Sequence, residues 1–529
     1  MQTTLVAATA LLGLAMAQQP TTSQTFRVCR HTNYVAEGNK IFAVDPANPL
    51  TKTELFIKGV TWSGMELPNQ GVPMGLWGAN LTQIDSGIKG TSLAAMMQLM
   101  TNASINVVRF PLTADAVVKD TPPKITYVHR ENKEIALYPP GFEPRTSDFV
   151  ARLIGAFQKY RIGIVLDIHD LVDNFATDAY WYYPKPSTVE ETLAYKAAVV
   201  LATNYCKATY WNVLGLDLKN AMTDVTWAKS ANDARSVSDW ASAAQVIAAK
   251  VNALCPQWLV LTTGASSASG ESFSVPSRAN ETFPFWDGGN FQNATSRPLE
   301  GATNVVYAPH AHVHGMLPQA YLYAKAAGCG ANLPSTSTKE DTTCSVFLNG
   351  ALVANTKRAL SCQKSKYACA SYVPMAVPEL QANVAAMLQS ALGGVVAEAK
   401  HPIVFSGFSA VYEPTLQPQQ SAAFDAMLQF LVQNTSGGFY ANLNPDTEMY
   451  LEAPPAGKTI IGKTRFGLMK TNSWQAANDE LLHALSAMKS TPIPCYGDAY
   501  PGPPDSNVAK ALAPSLLPFV GVALAYCWF

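Results

Sequence analysis

Residues 211–222 read WNVLGLDLKNAM. Val213, Leu214, Leu216 and Leu218 form a short apolar run, as a buried strand requires, and it opens into polar Lys219 and Asn220. Parallel strands of barrels and open α/β sheets carry their chemistry at their C-terminal ends, so this polar opening marks a functional face. Ala221 and Met222 follow at once, with no reactive side chain between them.

Outward from this stretch the same alternation repeats. Strand-like runs lie at 55–62, 105–112, 162–169, 258–263, 304–312, 402–408 and 437–443, which makes eight with the opening stretch. Helix-like segments lie at 91–103, 146–160, 190–205, 235–254, 419–433 and 475–489. Strands alternating with helices imply parallel strands with helical crossovers, and eight is the number of a closed (β/α)8 TIM barrel. By pattern alone, a doubly wound open sheet is the other α/β solution. The one irregular stretch, 315–373, holds Cys329, Cys344, Cys362 and Cys369 and is expected to be a disulfide-pinned insertion after the sixth strand.

The chain has 529 residues, of which 14% are charged, and its net charge is −1. Soluble domains usually carry roughly 25% charged residues, and a nearly neutral chain gives no reason to expect a nucleic acid partner. Residues 1–17 form an apolar run ending in Ala15-Met16-Ala17, the pattern of a cleaved signal peptide, so a secreted protein is expected. Residues 18–495 are then the barrel domain, 496–507 a Pro/Gly-rich linker, and 508–529 an apolar tail. The tail, interrupted by Pro514 and Pro518, resembles a glycolipid (GPI) attachment signal near Asp505, Ser506 or Asn507. Attachment to a cell surface through that lipid is the only membrane association expected, and the protein is expected to be a monomer.

Secretion bears on the cysteines. Without Cys527 in the tail, eight remain as disulfide candidates: Cys29, Cys206, Cys255, Cys329, Cys344, Cys362, Cys369 and Cys495. Their pairing is open, although Cys29 with Cys495 would tie the ends of the domain together. Asn80, Asn102, Asn280, Asn293 and Asn434 each begin an N-x-S/T sequon for glycosylation.

The strand ends carry more specific motifs: GVTWSGMELPNQGVPMGLW (59–77), NVVRFPL (106–112), LDIHD (166–170), GLDLKN (215–220), WDGGNF (286–291), VVYAPH (305–310) and GFYANLNPDT (438–447). Taken in order over about residues 55–450, they resemble the strand-end motifs of glycoside hydrolase family 5, the cellulase family. The resemblance implies that Arg109, His169, Asn220, His310, His312, Trp62 and Glu66 line a β-glucan site. Arg109 matches the arginine beneath the family's nucleophile, and Asn220 the asparagine that binds the sugar 2-hydroxyl. It also exposes four losses. Ala221 stands where the acid/base glutamate follows Asn220, and Gly407, in PIVFSGFS, where the nucleophile stands. His312 replaces the family's tyrosine, and Ala441 its sugar-stacking tryptophan.

A retaining glycosidase needs two carboxyls about 5–5.5 Å apart, one to attack the anomeric carbon and one to protonate the leaving oxygen. Alanine and glycine do neither. Losing one such member costs on the order of a million-fold in turnover, or roughly 8 kcal/mol of barrier. The leading expectation is therefore a cellulase-like barrel, without a cofactor, that binds β-glucan and does not hydrolyse it. A second reading is an endo-β-glucanase with relocated carboxylates, Glu413 first among Asp170, Asp224 and Glu66. A third is a metal-dependent hydrolase using the run His310, His312 and His314, completed by Asp170 or Asp287. Tyr180, Trp181, Tyr182 and Tyr183 form an aromatic cluster suited to packing or to sugar stacking.

Overall fold

A computed structural model describes residues 25–27, 29–67, 70–82, 87–172, 180–182, 185–228, 238–266, 269–312, 320–325, 345–348, 351–354, 372–416, 418–451, 459–464, 466–497 and 499–501. The chain divides into two units, Arg30–Tyr496 and the joined ends Met1–Cys29 with Gly497–Phe529. In the latter, Thr25–Arg27 pairs antiparallel with Ala499–Pro501.

The larger unit is a (β/α)8 barrel. Its strands are β1 (Ile57–Thr61), β2 (Val107–Thr113), β3 (Gly163–Asp170), β4 (Val213–Asp217), β5 (Leu259–Thr262), β6 (Val305–Tyr307 and His310–His312), β7 (Phe405–Ser409) and β8 (Gly437–Tyr440). Each pairs in parallel with its sequence neighbour, and β8 pairs with β1. The ring closes through β6, which Ala308-Pro309 splits in two. Val305–Tyr307 pairs with β5, and His310–His312 pairs with β7. Pro309 has no N–H for a ladder and its carbonyl instead accepts from Ser406 N–H, so the break falls where a proline belongs. All eight strands lie where the apolar runs place them. These strands are buried along their length, as a barrel filled inside and covered by helices outside requires.

The covering helices are α1 (Leu93–Asn102), α2 (Thr146–Gln158), α3 (Leu193–Tyr205), α4 (Trp240–Leu254), α5 (Val377–Glu398), α6 (Pro418–Asn434) and α7 (Asp479–Leu485). Side-chain caps set several starts. Ser92 accepts from Ala95 N–H, Thr192 from Tyr195 N–H, and Asp239 from Ser242 N–H. Asp239 also pairs with Arg297 at 2.7 Å. α4 is shorter than the 235–254 pattern because the buried Asp239 cap fixes its start.

Between β5 and β6 the described residues hold an antiparallel hairpin, Ser272–Val275 with Arg278–Pro284, in place of an α-helix. Phe273, Phe283 and Phe285 gather with Tyr321 in an aromatic cluster. An N-terminal meander, Asn33–Glu37, Lys40–Asp45 and Asn48–Glu54, docks where the strands begin. There Tyr34 donates its hydroxyl to the Trp211 carbonyl at 2.9 Å, pinning the entry to β4.

A disulfide joins Cys206 to Cys255, at the C-terminal ends of α3 and α4, with 5.8 Å between their Cα atoms. Cys29 and Cys495 are each disulfide-bonded as well. Cys329, Cys344, Cys362 and Cys369 lie outside the described residues, as do residues 1–17 and the tail 508–529. The Cys206–Cys255 bridge closes a 49-residue separation. Replacing both cysteines with alanine should lower unfolding free energy by about 2–4 kcal/mol, measured by urea denaturation.

Candidate active site at the C-terminal mouth of the barrel

The site is built on one buried cation. Arg109, on β2, points into the barrel and is 1% exposed. Its Nε donates to Asp217 Oδ2 at 3.0 Å, and its Nη2 lies 3.0 Å from both Asp167 Oδ1 and Asp217 Oδ2. The same Nη2 donates to Asn220 Oδ1 at 3.1 Å. Ser406 Oγ donates to Asp217 Oδ2 at 2.6 Å. β2, β3, β4 and β7 thus meet on a single guanidinium, and Asn220 is aimed from below. Neither aspartate is exposed, and a fixed guanidinium fork suits two carboxylates better than an ammonium would.

Burial raises the Asp217 pKa to about 6, against Arg109, which lowers it, and with help from the Asp167 charge. His169 extends the network outward, its Nδ1 2.6 Å from Asp167 Oδ2. Burial lowers its pKa, but Asp167 and Asp170 outweigh this and the net shift is upward. Glu66 accepts from Gly64 N–H at 2.7 Å. Its pKa is raised by burial, moderated by the nearby His169.

Of the two positions that a retaining glycosidase would fill with glutamates, the one at Gly407 is closed over by His310. A Cβ built at Gly407 would lie 2.8 Å from His310 Nδ1. On its other side the ring adjoins Gly288 (φ +73°), where a Cβ would meet His310 Cδ2 at 3.1 Å and the Ala221 methyl at 2.9 Å. Burial first, then Arg109 and the neighbouring imidazoles, hold His310 well below its usual pKa. His312 Nδ1 lies 2.6 Å from Ser409 Oγ, and burial with Arg109 lowers its pKa to about 4. Both rings are therefore neutral at pH 7. Trp286, half-buried in the loop before β6, donates its indole N–H to the His310 carbonyl.

Of the residues expected at the site, His169, Asn220 and His312 are partly exposed at the mouth, while Arg109, His310 and Glu66 lie buried beneath it. Trp62 must be corrected. It is fully buried, stacked on Phe110 at 6.3 Å outside the barrel wall, and donates to the Met74 carbonyl. It packs the core outside the barrel, away from the mouth's exposed surface. Glu413 is half-buried in the loop after β7, where its backbone N–H donates to Ser421 Oγ. Among the described residues, no three His, Cys, Asp or Glu side chains are grouped to hold a metal, and His314 lies outside them. Tyr180 and Tyr182 stack at 5.1 Å and Trp181 is buried, so the described part of that cluster is largely packing. Asn80, Asn102 and Asn280 are exposed and Asn434 is half-buried. Asn293 is buried, with its amide donating to the Trp227 carbonyl and to Glu271. Asp167, Asp217, Ser406 and Trp286 were not singled out from sequence. All four stood inside quoted stretches, LDIHD, GLDLKN, PIVFSGFS and WDGGNF, as neighbours of the residues those stretches were quoted for.

The model for the cellulase family, glycosyl hydrolase family 5, matches residues 58–343, more than half of the chain. The chain belongs to glycosyl hydrolase family 5. An endoglucanase of Paenibacillus polymyxa is 24% identical over 292 residues, or 54% of this chain, and the match spans 62% of that relative's length. Among solved structures, a variant endocellulase of Pyrococcus horikoshii in complex with cellotetraose is 18% identical, with a TM-score of 0.56. The match covers 86% of this chain and 98% of that one. The catalytic domain of the major endoglucanase of Xanthomonas campestris pv. campestris is 19% identical, with a TM-score of 0.55 over 86% of this chain and 99% of that one. At these identities the structures speak for the cellulase barrel and no further.

Proposed function

We propose that this family 5 barrel is a non-hydrolytic receptor for β-glucan, displayed outside the cell on a glycolipid anchor. The observation that carries the reading is the mouth itself. Ala221 and Gly407 hold the two glutamate positions, and His310 occupies the space above Gly407. The carboxyls that lie deepest beneath the mouth are already committed. Asp167 and Asp217 are fully buried on Arg109, and Glu66 is buried with its oxygen held by Gly64. An oxocarbenium-like transition state would find no nucleophile there and no acid in line with a leaving oxygen.

What survives suits binding. Asn220 is held by Arg109, His169 by Asp167, and Trp286 offers a half-exposed indole anchored through its N–H. A sugar ring presents an apolar face to such an indole and hydroxyls to the amide and imidazole. The secreted and tethered parts of the reading rest on the sequences of residues 1–17 and 508–529.

Isothermal titration with cellotetraose and laminaritetraose tests the binding. At least one should bind the intact protein, and Trp286→Ala should weaken it by about 1–3 kcal/mol, roughly ten- to a hundredfold. Failure of both ligands to bind would overturn the receptor reading.

A further inference from the structure

A second site lies on the outer wall of the barrel, away from the mouth. Lys58 is the second residue of β1. Arg109 points inward and is in register with Thr61, so Lys58, three residues earlier on the strand, points outward. It emerges beneath a cavity of about 1180 Å³ between α1 and α7. Lys58 is 6% exposed, yet its ammonium makes no hydrogen bond or ion pair among the described residues. Burial alone acts on its pKa, downward, with no carboxylate in range to offset it. The buried part is the aliphatic stem, and the ammonium at its end faces the cavity without a counter-charge. The nearest acid lining the cavity, Asp479, is exposed and already paired with Lys470 at 3.1 Å.

The other lining groups indicate what would complete the pair. Ser104, Ser486 and Ser490 bring hydroxyls that hold no partner among the described residues. Leu99 and Met488 supply apolar wall. One cation, several hydroxyls and an apolar flank match a sugar ring that bears a carboxylate.

We propose that the cavity between α1 and α7 binds a uronate, with its carboxylate on Lys58 and its hydroxyls on Ser104, Ser486 and Ser490. The site is independent of the β-glucan reading at the mouth.

The test is titration of the full-length protein with D-glucuronate, with its methyl β-glycoside and with D-glucose. Glucuronate should bind about tenfold or more tightly than glucose, since the two differ by a charge-assisted contact. Lys58→Met should abolish that preference, whereas Lys58→Arg should keep it, and both variants are checked for an unchanged melting point. Trp286→Ala, at the mouth, should leave it unaltered. Binding of the methyl glycoside would assign the site to a chain-linked uronate, and its exclusion to the free acid. Equal affinity for glucose and glucuronate, a preference retained in Lys58→Met, or no binding by any of the three sugars would overturn the proposal.

Discussion

Arg109→Met should destabilise the protein by about 3–5 kcal/mol at pH 8, and by clearly less at pH 5. The guanidinium sits between Asp167 and Asp217, neither of which is exposed, and methionine leaves both buried carboxylates without that cation, with His169 on Asp167 and Ser406 on Asp217. The pH dependence follows from Asp217, whose pKa burial has already raised to about 6 against the pull of Arg109. A carboxyl with a raised folded-state pKa favours the folded state most below its unfolded value, near 4. That contribution is lost as pH climbs through the folded value. Removing Arg109 raises the folded value further, so the variant's deficit widens from pH 4 to beyond pH 6. His310 and His312 act in the opposite sense in the wild type. Their lowered pKa values lend stability above about 6.5 that is lost as pH falls, for His312 down to about 4. Arg109 helps to lower both, so its loss relieves acid sensitivity and reinforces the same trend. Urea midpoints for both proteins from pH 4.5 to 8.5 measure it. A deficit independent of pH would mean that Arg109 acts through packing and not through the buried carboxylates.

Restoring both glutamates, as Ala221→Glu with Gly407→Glu, should not restore hydrolysis of cellotetraose. Ala221 is half-buried beside Gly288, and a longer side chain there can extend into the mouth. Gly407 is different, because even a methyl group would meet His310 Nδ1 at 2.8 Å and the ring is hemmed by Gly288 on its far side. Gly407→Glu should therefore destabilise by about 1–3 kcal/mol through overpacking, and its carboxyl will not stand about 5–5.5 Å from the one at 221. Ala221→Glu alone should change the melting temperature little. Hydrolysis by the double variant would show that His310 yields and that two side chains are all that separate this mouth from a working one.

The strands were legible because eight apolar runs, each bounded by polar turns, alternate with helical segments, and a strand falls on every one; closure into a barrel and not a doubly wound open sheet rested on the count of eight and on the order of the strand-end motifs. The meander at residues 33–54 was not. Its strands are short and mixed in polarity, and they exist because Tyr34 and its neighbours dock on the barrel floor. The strand-end motifs brought Arg109, His169, Asn220 and His310 to one end of the barrel, but the direction of a side chain depends on register. Phe110 alternates with Arg109 to the outer face, and Trp62 stacks on Phe110 there, which is why a tryptophan inside a strand-end motif proved to be core. The two buried aspartates sat in the quoted LDIHD and GLDLKN, yet only their meeting on Arg109 gives them a role. Absence of the glutamates could be read from residue identity alone. That the His310 ring lies over Gly407 could not.

The most direct measurement is turnover of cellotetraose and laminaritetraose by the purified wild-type chain, followed by chromatography over days on a preparation whose glycan binding has been established. A receptor of this kind should leave both oligosaccharides intact, on the order of a million-fold below a working glycosidase. Hydrolysis by the wild type, abolished by Glu66→Gln or Glu413→Gln, would show that a carboxyl elsewhere in the mouth had taken over and would contradict the non-hydrolytic reading.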